Sequence, residues 1–131
     1  MPEFLSEIWL RELDRAVRAT AGVAVAEPIV IEQVVCDVPG KGEVRYRFRV
    51  DRDGASVAAG ADEHAPDVRL TTDYDTAVAI ARGLENAQIA LANGRLRFGG
   101  NIDTLVRSAP ALGALDDATV ALRNSTTYPS P

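Results

Sequence analysis

The sequence predicts an α+β fold in which helices pack on one face of a five-stranded, mostly antiparallel sheet. Two observations predict it. Segments with helical and strand periodicity follow one another in the order helix, three strands, a fourth strand, two helices, a fifth strand and two helices. Residues 43–51 (EVRYRFRVD) also alternate without interruption between apolar and charged side chains, which indicates a sheet that is covered on one face only.

The first predicted helix covers residues 4–21. Its apolar residues recur every three or four positions, Ser6 can cap its start, and Gly22 is expected to end it. We expect Trp9 to anchor this helix in the core; closing over a pocket or touching a membrane surface are its alternatives. The predicted inward-facing residues are Leu5, Ile8, Trp9, Leu13, Ala16 and Val17.

Three strands are predicted next, joined by tight turns. Residues 28–38 are rich in β-branched side chains and end before the turn that begins at Pro39 and Gly40. The alternating segment 43–51 turns through a hairpin at residues 51–55 into a strand of small side chains at 55–60. In the alternating strand, the residues expected to share the apolar face are Val44, Tyr46, Phe48 and Val50.

The second half begins with a short strand at residues 68–72. Thr72 or Asp73 can cap the following helix, which ends at Gly83, and a second helix covers residues 84–92. Leu96 and Phe98 form a strand, Asn101 caps a further helix, and residues 110–122 make a last amphipathic segment. We therefore expect one domain over residues 4–123 and a mobile tail over residues 124–131.

Charge and composition exclude several classes of function. The 131 residues include 19 acidic and 14 basic side chains, a net charge of −5, so a nucleic acid partner and tight electrostatic docking on anionic lipid are not expected. No apolar run reaches the ~20 residues that cross a bilayer, so no stable membrane insertion is expected. The N-terminus lacks signal-peptide features, and Cys36 alone cannot form an internal disulfide, which together predict a cytoplasmic location.

The residues that could carry chemistry have simpler interpretations. Cys36 has no basic neighbour in sequence and is expected to be an inert thiol, and His64 is expected to be a solvated loop residue because it lacks further imidazole or thiolate ligands. Asp73 and Asp75 suit the first turn of a helix. We therefore predict neither catalytic residues nor a metal or cofactor site.

Residues 94–105 carry a recognisable pattern: glycine, basic, leucine, basic, then glycine-asparagine and a leucine. It resembles the signature near the C-terminus of the sterol carrier protein 2 (sterol-binding domain) family, and the resemblance extends over roughly residues 4–122, including residues 42–51 and 67–83 (DVRLTTDYDTAVAIARG). The terminal residues YPSP do not match that family's peroxisomal address. The matching residues are Gly94, Arg95, Leu96, Arg97, Gly100, Asn101 and Leu105, with Gln88 upstream.

The resemblance implies a sheet and helices that enclose an apolar tunnel for sterols, fatty acyl chains or other lipids, with no catalytic residues. Alanines in the third strand and the middle helices favour such a space. The predicted function is non-catalytic binding of a sterol, fatty acid, acyl-CoA or related lipid, with transfer of that ligand left open. The predicted ligand-binding residues are Trp9, Phe48, Val50, Val57, Leu70, Ile89, Leu96, Phe98, Leu105 and Leu112.

Two other classes of function remain open at this stage. The interior could be filled, and the chain could then be an interaction module, a homodimer or an accessory subunit that uses Arg45, Arg47 and Arg49. A weaker alternative is an isomerase of hydrophobic substrates, which needs a buried Asp or Glu inside the pocket. Periodicity places no such carboxylate there.

Overall fold

The computed structural model describes residues 2–19, 28–51, 54–60, 65–85, 87–107 and 120–128. Within these residues the chain forms five strands and five helices. The helices are α1 (Glu7–Arg18), α2 (Tyr74–Ala81), α3 (Ala87–Ala92), α4 (Ile102–Arg107) and α5 (Val120–Asn124). The strands are β1 (Ile29–Val38), β2 (Gly42–Asp51), β3 (Gly54–Ala59), β4 (Val68–Asp73) and β5 (Leu96–Gly100).

All five strands lie in one sheet with the order β3-β2-β1-β4-β5. The pairs β1–β2, β2–β3 and β4–β5 are antiparallel, and β1–β4 is parallel. The predicted α+β fold with a mostly antiparallel five-stranded sheet is confirmed. Its mixed character comes from β4, which lies beside β1 instead of extending the meander next to β3, and local periodicity does not determine that order.

The alternation along β2 has the predicted effect. Val44, Tyr46, Phe48 and Val50 lie on the face of the sheet that carries the helices, where they join a core shared with α1 and α2. The arginines between them lie on the opposite face because successive side chains of a strand point to opposite sides. The sheet therefore has an apolar face under the helices and an opposite face rich in charged side chains.

Helix α1 packs on β3 and covers Glu7–Arg18, so it is shorter at both ends than the predicted residues 4–21, and its predicted end at Gly22 lies outside the described residues. The Ser6 hydroxyl accepts the N–H of Trp9 at 3.1 Å and so caps the helix. The prediction that Ile8 faces inward is wrong, because its side chain is 60% exposed. Ile8 lies roughly 150° around the helix from the centre of the buried stripe, at about 100° per residue. That stripe consists of Trp9, Leu10, Leu13 and Val17.

Of the two predicted caps of α2, Asp73 and not Thr72 forms the cap, because its carboxylate accepts the N–H of Thr76 at 2.7 Å. The Thr72 hydroxyl instead donates to the carbonyl of Arg95 at 2.8 Å, which ties β4 to the turn before β5. Asn101 caps α4 as predicted, since its side-chain oxygen accepts two backbone N–H groups of the first turn. These bonds fix the directions in which α2, β5 and α4 leave the sheet.

The glycine pair at the end of β5 lies against β4. A Cβ atom at Gly100 would be 2.3 Å from the carbonyl oxygen of Asp67 and 3.0 Å from the Cα of Val68. Gly100 also has a φ of +107°, which side-chain-bearing residues rarely adopt. At Gly99 the nearest atom to such a Cβ is 3.9 Å away. Only glycine therefore fits at position 100, where the chain crosses closely over β4 into α4.

The two ends of the described chain meet. The N–H of Phe4 donates to the carbonyl of Thr127, and the N–H of Thr127 donates to the carbonyl of Pro2, both at 2.8 Å. Thr126 is buried, and Tyr128 packs partly against the core. These contacts attach the start of the segment predicted to be a mobile tail, while residues 129–131 lie outside the described residues. The mobility of that segment and the boundary at residue 123 stay predictions.

Candidate functional site

Seven of the ten predicted ligand-binding residues belong to the apolar layer between the sheet and the helices. Phe48 in β2 lies opposite Val57 in β3, and Leu70 in β4 lies opposite Phe98 in β5. The buried members of this set are Trp9, Val50, Val57 and Leu96, and the partly exposed members are Phe48, Leu70 and Phe98. The fold thus brings residues from β2, β3, β4 and β5 onto one apolar surface, as alternation predicts.

This surface is not covered evenly. Ile31 in β1 and Val68 in β4 are paired neighbours and are buried, whereas Phe48 next to Ile31 keeps part of its side chain exposed. Leu70, two positions after Val68 in β4, and its β5 partner Phe98 are also partly exposed. These three residues form an apolar floor on the helix-covered face of the sheet, and this floor is incompletely covered.

Trp9 lies in the core rather than at the surface. Its ring meets Phe4 edge-on, with centroids 4.9 Å apart, and Tyr46 in the same way at 5.9 Å. Its indole N–H donates to the hydroxyl of Thr126 at 3.2 Å. Burial raises the pKa of the Tyr46 hydroxyl in this cluster. These contacts agree with the interpretation of Trp9 as a packing anchor, and they join α1, β2 and the C-terminal segment.

The remaining three predicted ligand-binding residues are Ile89, Leu105 and Leu112. Ile89 on α3 is 57% exposed and does not join the described core. Leu105 belongs to α4, but its side chain lies outside the described part of the structure, and Leu112 lies wholly outside it. Several apolar side chains of this region are largely exposed, a feature that marks interaction or ligand sites when such residues are contiguous. They are Leu84, Ile89, Ile102 and Val106.

A groove beside the core was missed by sequence reasoning. It is open, has a volume of ≈ 530 Å³, and lies between the end of α2 and the segment from α5 to Tyr128. Arg82 and Arg123 stand on its two sides. Tyr128 lies in the segment predicted to be a mobile tail, and the available signal was that it is the only aromatic residue after Phe98 in the sequence.

The opposite face of the sheet carries a buried ionic cluster. The Glu32 side chain in the middle of β1 has 0% exposure, and one of its oxygens is 3.0 Å from a guanidinium nitrogen of Arg47, a residue that is itself only 7% exposed. Arg45 approaches the other Glu32 oxygen at 3.1 Å, and Arg69 approaches from β4 at 3.5 Å. The cluster joins β2, β1 and β4. Two of the three arginines considered for an interaction surface, Arg45 and Arg47, therefore pair with Glu32 inside the protein.

Groups able to carry chemistry are sparse in the described residues. Cys36 is a free, partly exposed thiol, and His64 lies in a part of the chain that is not described. Asp73 is engaged as a cap, and its bond from the Thr76 side chain is the main reason why the pKa of its carboxyl is lowered. No group of three or more His, Cys, Asp or Glu residues that could hold a metal occurs among the described positions.

The chain matches the model of the SCP-2 sterol transfer family over residues 18–112. That match includes all five strands and α2, α3 and α4. The fold defines a class of α+β proteins with helices on one face of a mixed sheet, and within that class this chain belongs to the SCP-2 sterol transfer family. No curated protein sequence gives a significant match. Among the helices that the structure describes, none is both long enough and apolar enough to cross a bilayer.

Solved structures with the same fold agree with the family. A conserved hypothetical protein of Thermus thermophilus, described as possibly a sterol carrier protein, has a TM-score of 0.72 and 21% identity, covering 99% of this chain and 94% of that one. A sterol carrier protein 2 has a TM-score of 0.67 and 21% identity, covering 88% and 96%. A stereoselective inverting sec-alkylsulfatase from a Pseudomonas species has a TM-score of 0.55 and 15% identity, with 78% of this chain matching 15% of that chain.

Proposed function

We propose that this chain binds a hydrophobic ligand, a sterol or a long acyl chain, between the helix-covered face of the sheet and the helices, without altering it. Membership of the SCP-2 sterol transfer family is the observation that carries the proposal. The partly covered apolar floor formed by Phe48, Leu70 and Phe98 supports it. We expect the binding unit to span residues 4–123, to act in the cytoplasm and to need no cofactor.

Burial alone can hold such a ligand. Removing apolar surface from water contributes roughly 25 cal/mol per Å², so a long hydrocarbon needs no charged contact to bind. The floor residues would supply apolar contact from below. The exposed apolar side chains of α3 and α4, with Leu105 and Leu112, are proposed to supply it from the helix side. Trp9, Val50, Val57 and Leu96 would hold the wall in place from within the core.

Titration of delipidated protein with a fluorescent fatty acid and a fluorescent sterol tests the proposal. We expect saturable binding of at least one of the probes at about one molecule per chain. Mass spectrometry of protein purified under native conditions should also show a co-purified lipid. Absence of binding across a panel of fatty acids and sterols would refute the proposal.

A filling substitution tests whether the space between α2 and the sheet is real. Ala77 on α2 packs against the core, whereas Ala79 on the same helix does not join it. If the space exists, Ala77→Phe should be tolerated and should abolish ligand binding, while the matched control Ala79→Phe should leave binding unchanged. A filled core would respond differently, because overpacking costs about 1–3 kcal/mol and would lower the melting temperature of Ala77→Phe without a binding effect.

The match within a sulfatase favours a second candidate function. There the fold forms a small part of a much longer chain, so a unit of this kind can act as an accessory module. A light-scattering mass above that of one chain, together with a native mass spectrum free of lipid, would support an interaction or dimer module over lipid binding.

A further inference from the structure

The segment before α1, residues 2–6, holds a buried leucine in a backbone conformation that leucine rarely adopts. The N–H of Ser6 donates to the carbonyl of Glu3 at 3.1 Å, so residues 3–6 form a tight turn in which Leu5 is the third residue. Leu5 has a φ of +66°, where glycine or asparagine is usual and a larger side chain is strained. Its side chain is nevertheless only 1% exposed. We call residues 2–6 the strap.

Contacts with distant parts of the chain hold the strap in this conformation. Phe4 and Leu5 both pack in the apolar core. The Lys41 ammonium group donates to the carbonyl of Leu5 at 3.2 Å, and the N–H of Phe4 donates to the carbonyl of Thr127 at 2.8 Å. Backbone strain persists only where the surrounding structure enforces it. The strain at Leu5 therefore opposes the burial of the strap, and loss of an outer contact would favour its release.

A row of aromatic rings leads from the strap to the apolar floor of the sheet. The Phe4 ring meets Trp9 with centroids 4.9 Å apart, and Trp9 meets Tyr46 at 5.9 Å. Tyr46 in turn meets Phe48, a partly exposed floor residue, at 5.8 Å. Phe4 also meets Tyr74, the first residue of α2, at 6.2 Å. The strap thus lies at the far end of this row from the floor, in contact with the first turns of both α1 and α2.

We propose that the strap is a displaceable plug: Phe4 and Leu5 fill one end of the ligand space and leave it when a hydrophobic ligand enters. The inference rests on the proposed function, because it describes how that same site opens. The apolar surface of the ligand replaces the burial that the two side chains lose, and release lets Leu5 return to an ordinary φ. Opening without a ligand would expose apolar surface to water. The strap therefore keeps the space closed until a ligand takes its place.

A disulfide that ties the strap to the C-terminal segment tests the proposal. Glu3 and Thr127 are exposed partners in a parallel bridge, so oxidation of Glu3→Cys/Thr127→Cys in a Cys36→Ser background locks the strap without altering the core. The matched control is Arg69→Cys/Gly99→Cys in the same background, on the charged face of the sheet. A Cβ at Gly99 would be 4.0 Å from the Cβ of Arg69, a separation that suits a disulfide.

Stopped-flow mixing of each delipidated variant with a fluorescent fatty acid and a fluorescent sterol measures the rate of uptake. We expect oxidation to slow uptake about tenfold in the strap variant, and reduction to restore it, because the closed strap raises the barrier to entry. The control disulfide should leave the rate unchanged. Melting temperatures of the oxidised and reduced forms show whether each variant is folded.

A second variant tests the strap without a disulfide. Lys41 is exposed, so Lys41→Met removes the bond to the Leu5 carbonyl and leaves the core intact. Uptake should become about fivefold faster, the effect of one lost hydrogen bond on the barrier to opening. Arg97→Met, at an exposed arginine of β5, should match wild type.

The other outcomes contradict the inference in distinguishable ways. Equal uptake by the oxidised and reduced strap variant, or unchanged uptake by Lys41→Met, would overturn the plug and leave the proposed function standing. Slower uptake in both disulfide variants would show that any cross-link hinders entry, which also contradicts a role specific to the strap. Failure of both probes to bind wild type and the reduced variants would overturn the plug and the proposed function together.

Discussion

Replacing Glu32 by Gln should destabilise the protein more than any other change of one charge on the sheet. The substitution keeps the size of the side chain and removes the negative charge that three arginines approach. Arg47, at 7% exposure, cannot regain water and would lose the carboxylate charge that lies 3.0 Å from its guanidinium group. Breaking a buried ion pair in this way costs about 3–5 kcal/mol, out of the roughly 5–15 kcal/mol that stabilise a typical domain.

The matched control is Glu43→Gln. Glu43 also pairs with Arg45, at 3.0 Å, but its side chain is 48% exposed. An exposed pair of this kind contributes about 0–1 kcal/mol. Thermal and urea denaturation followed by circular dichroism should show a fall in melting temperature of roughly 10 °C for Glu32→Gln and of only a few degrees for Glu43→Gln.

Salt gives an independent check of the same cluster. In about 1 M NaCl, the exposed Glu43–Arg45 pair should contribute less to the free energy of unfolding. The destabilisation caused by Glu32→Gln should persist, because salt screens a buried ion pair little. If Glu32→Gln destabilises by less than about 1 kcal/mol, or no more than Glu43→Gln, the Glu32 carboxylate does not act as a buried counter-charge.

Three further predictions concern local structure and pH. Gly100→Ala should destabilise by about 2 kcal/mol or more because its Cβ would overlap a backbone carbonyl at positive φ, whereas Gly99→Ala should change the melting temperature little; equal effects would contradict the close approach. Asp73→Ala should cost about 1 kcal/mol at neutral pH through the lost cap. The folded-state pKa of Asp73 is lowered, so the stabilisation by its carboxylate is complete above about pH 4 and is lost as the pH falls through the folded pKa. A difference in stability between wild type and Asp73→Ala that persists in strong acid would refute this prediction. Burial raises the folded-state pKa of Tyr46, so the stability that depends on its neutral hydroxyl is present below about pH 10 and is lost as the pH rises through the folded pKa. In urea denaturation, Tyr46→Phe should therefore lose less stability at alkaline pH than wild type.

Features set by neighbours in sequence were predictable. The alternation of β2 depends only on the period of a strand, so it placed Phe48 and Val50 on the correct face. The caps at Ser6 and Asn101 are local bonds between a side chain and the next turn, and both formed as predicted. Ile8 was misplaced because a short stripe fits two rotations of the helix almost equally well, and only packing on β3 decides between them.

Features that join distant parts of the chain were not predictable. The burial of Glu32 requires the parallel pairing of β1 with β4, which brings Arg69 to it across the sheet. The groove requires α5 to lie beside the end of α2, so Arg82 and Arg123 are neighbours in space only. Neither arrangement can be seen in the hydrophobic periodicity of the sequence. Periodicity indicates which face of a helix or strand is buried, and it does not indicate which other element covers that face.

The backbone bonds between Pro2 and Thr127 place the two ends of the fold side by side. A domain whose two chain ends are adjacent can be inserted into a surface loop of another protein without distorting either fold. A short linker that joins the two ends also allows circular permutation. A circular permutant opened in the sequence between the end of β2 and the start of β3 should therefore retain the sheet. The indole bond of Trp9 to Thr126 spans this junction, so tryptophan fluorescence offers a direct signal for its integrity.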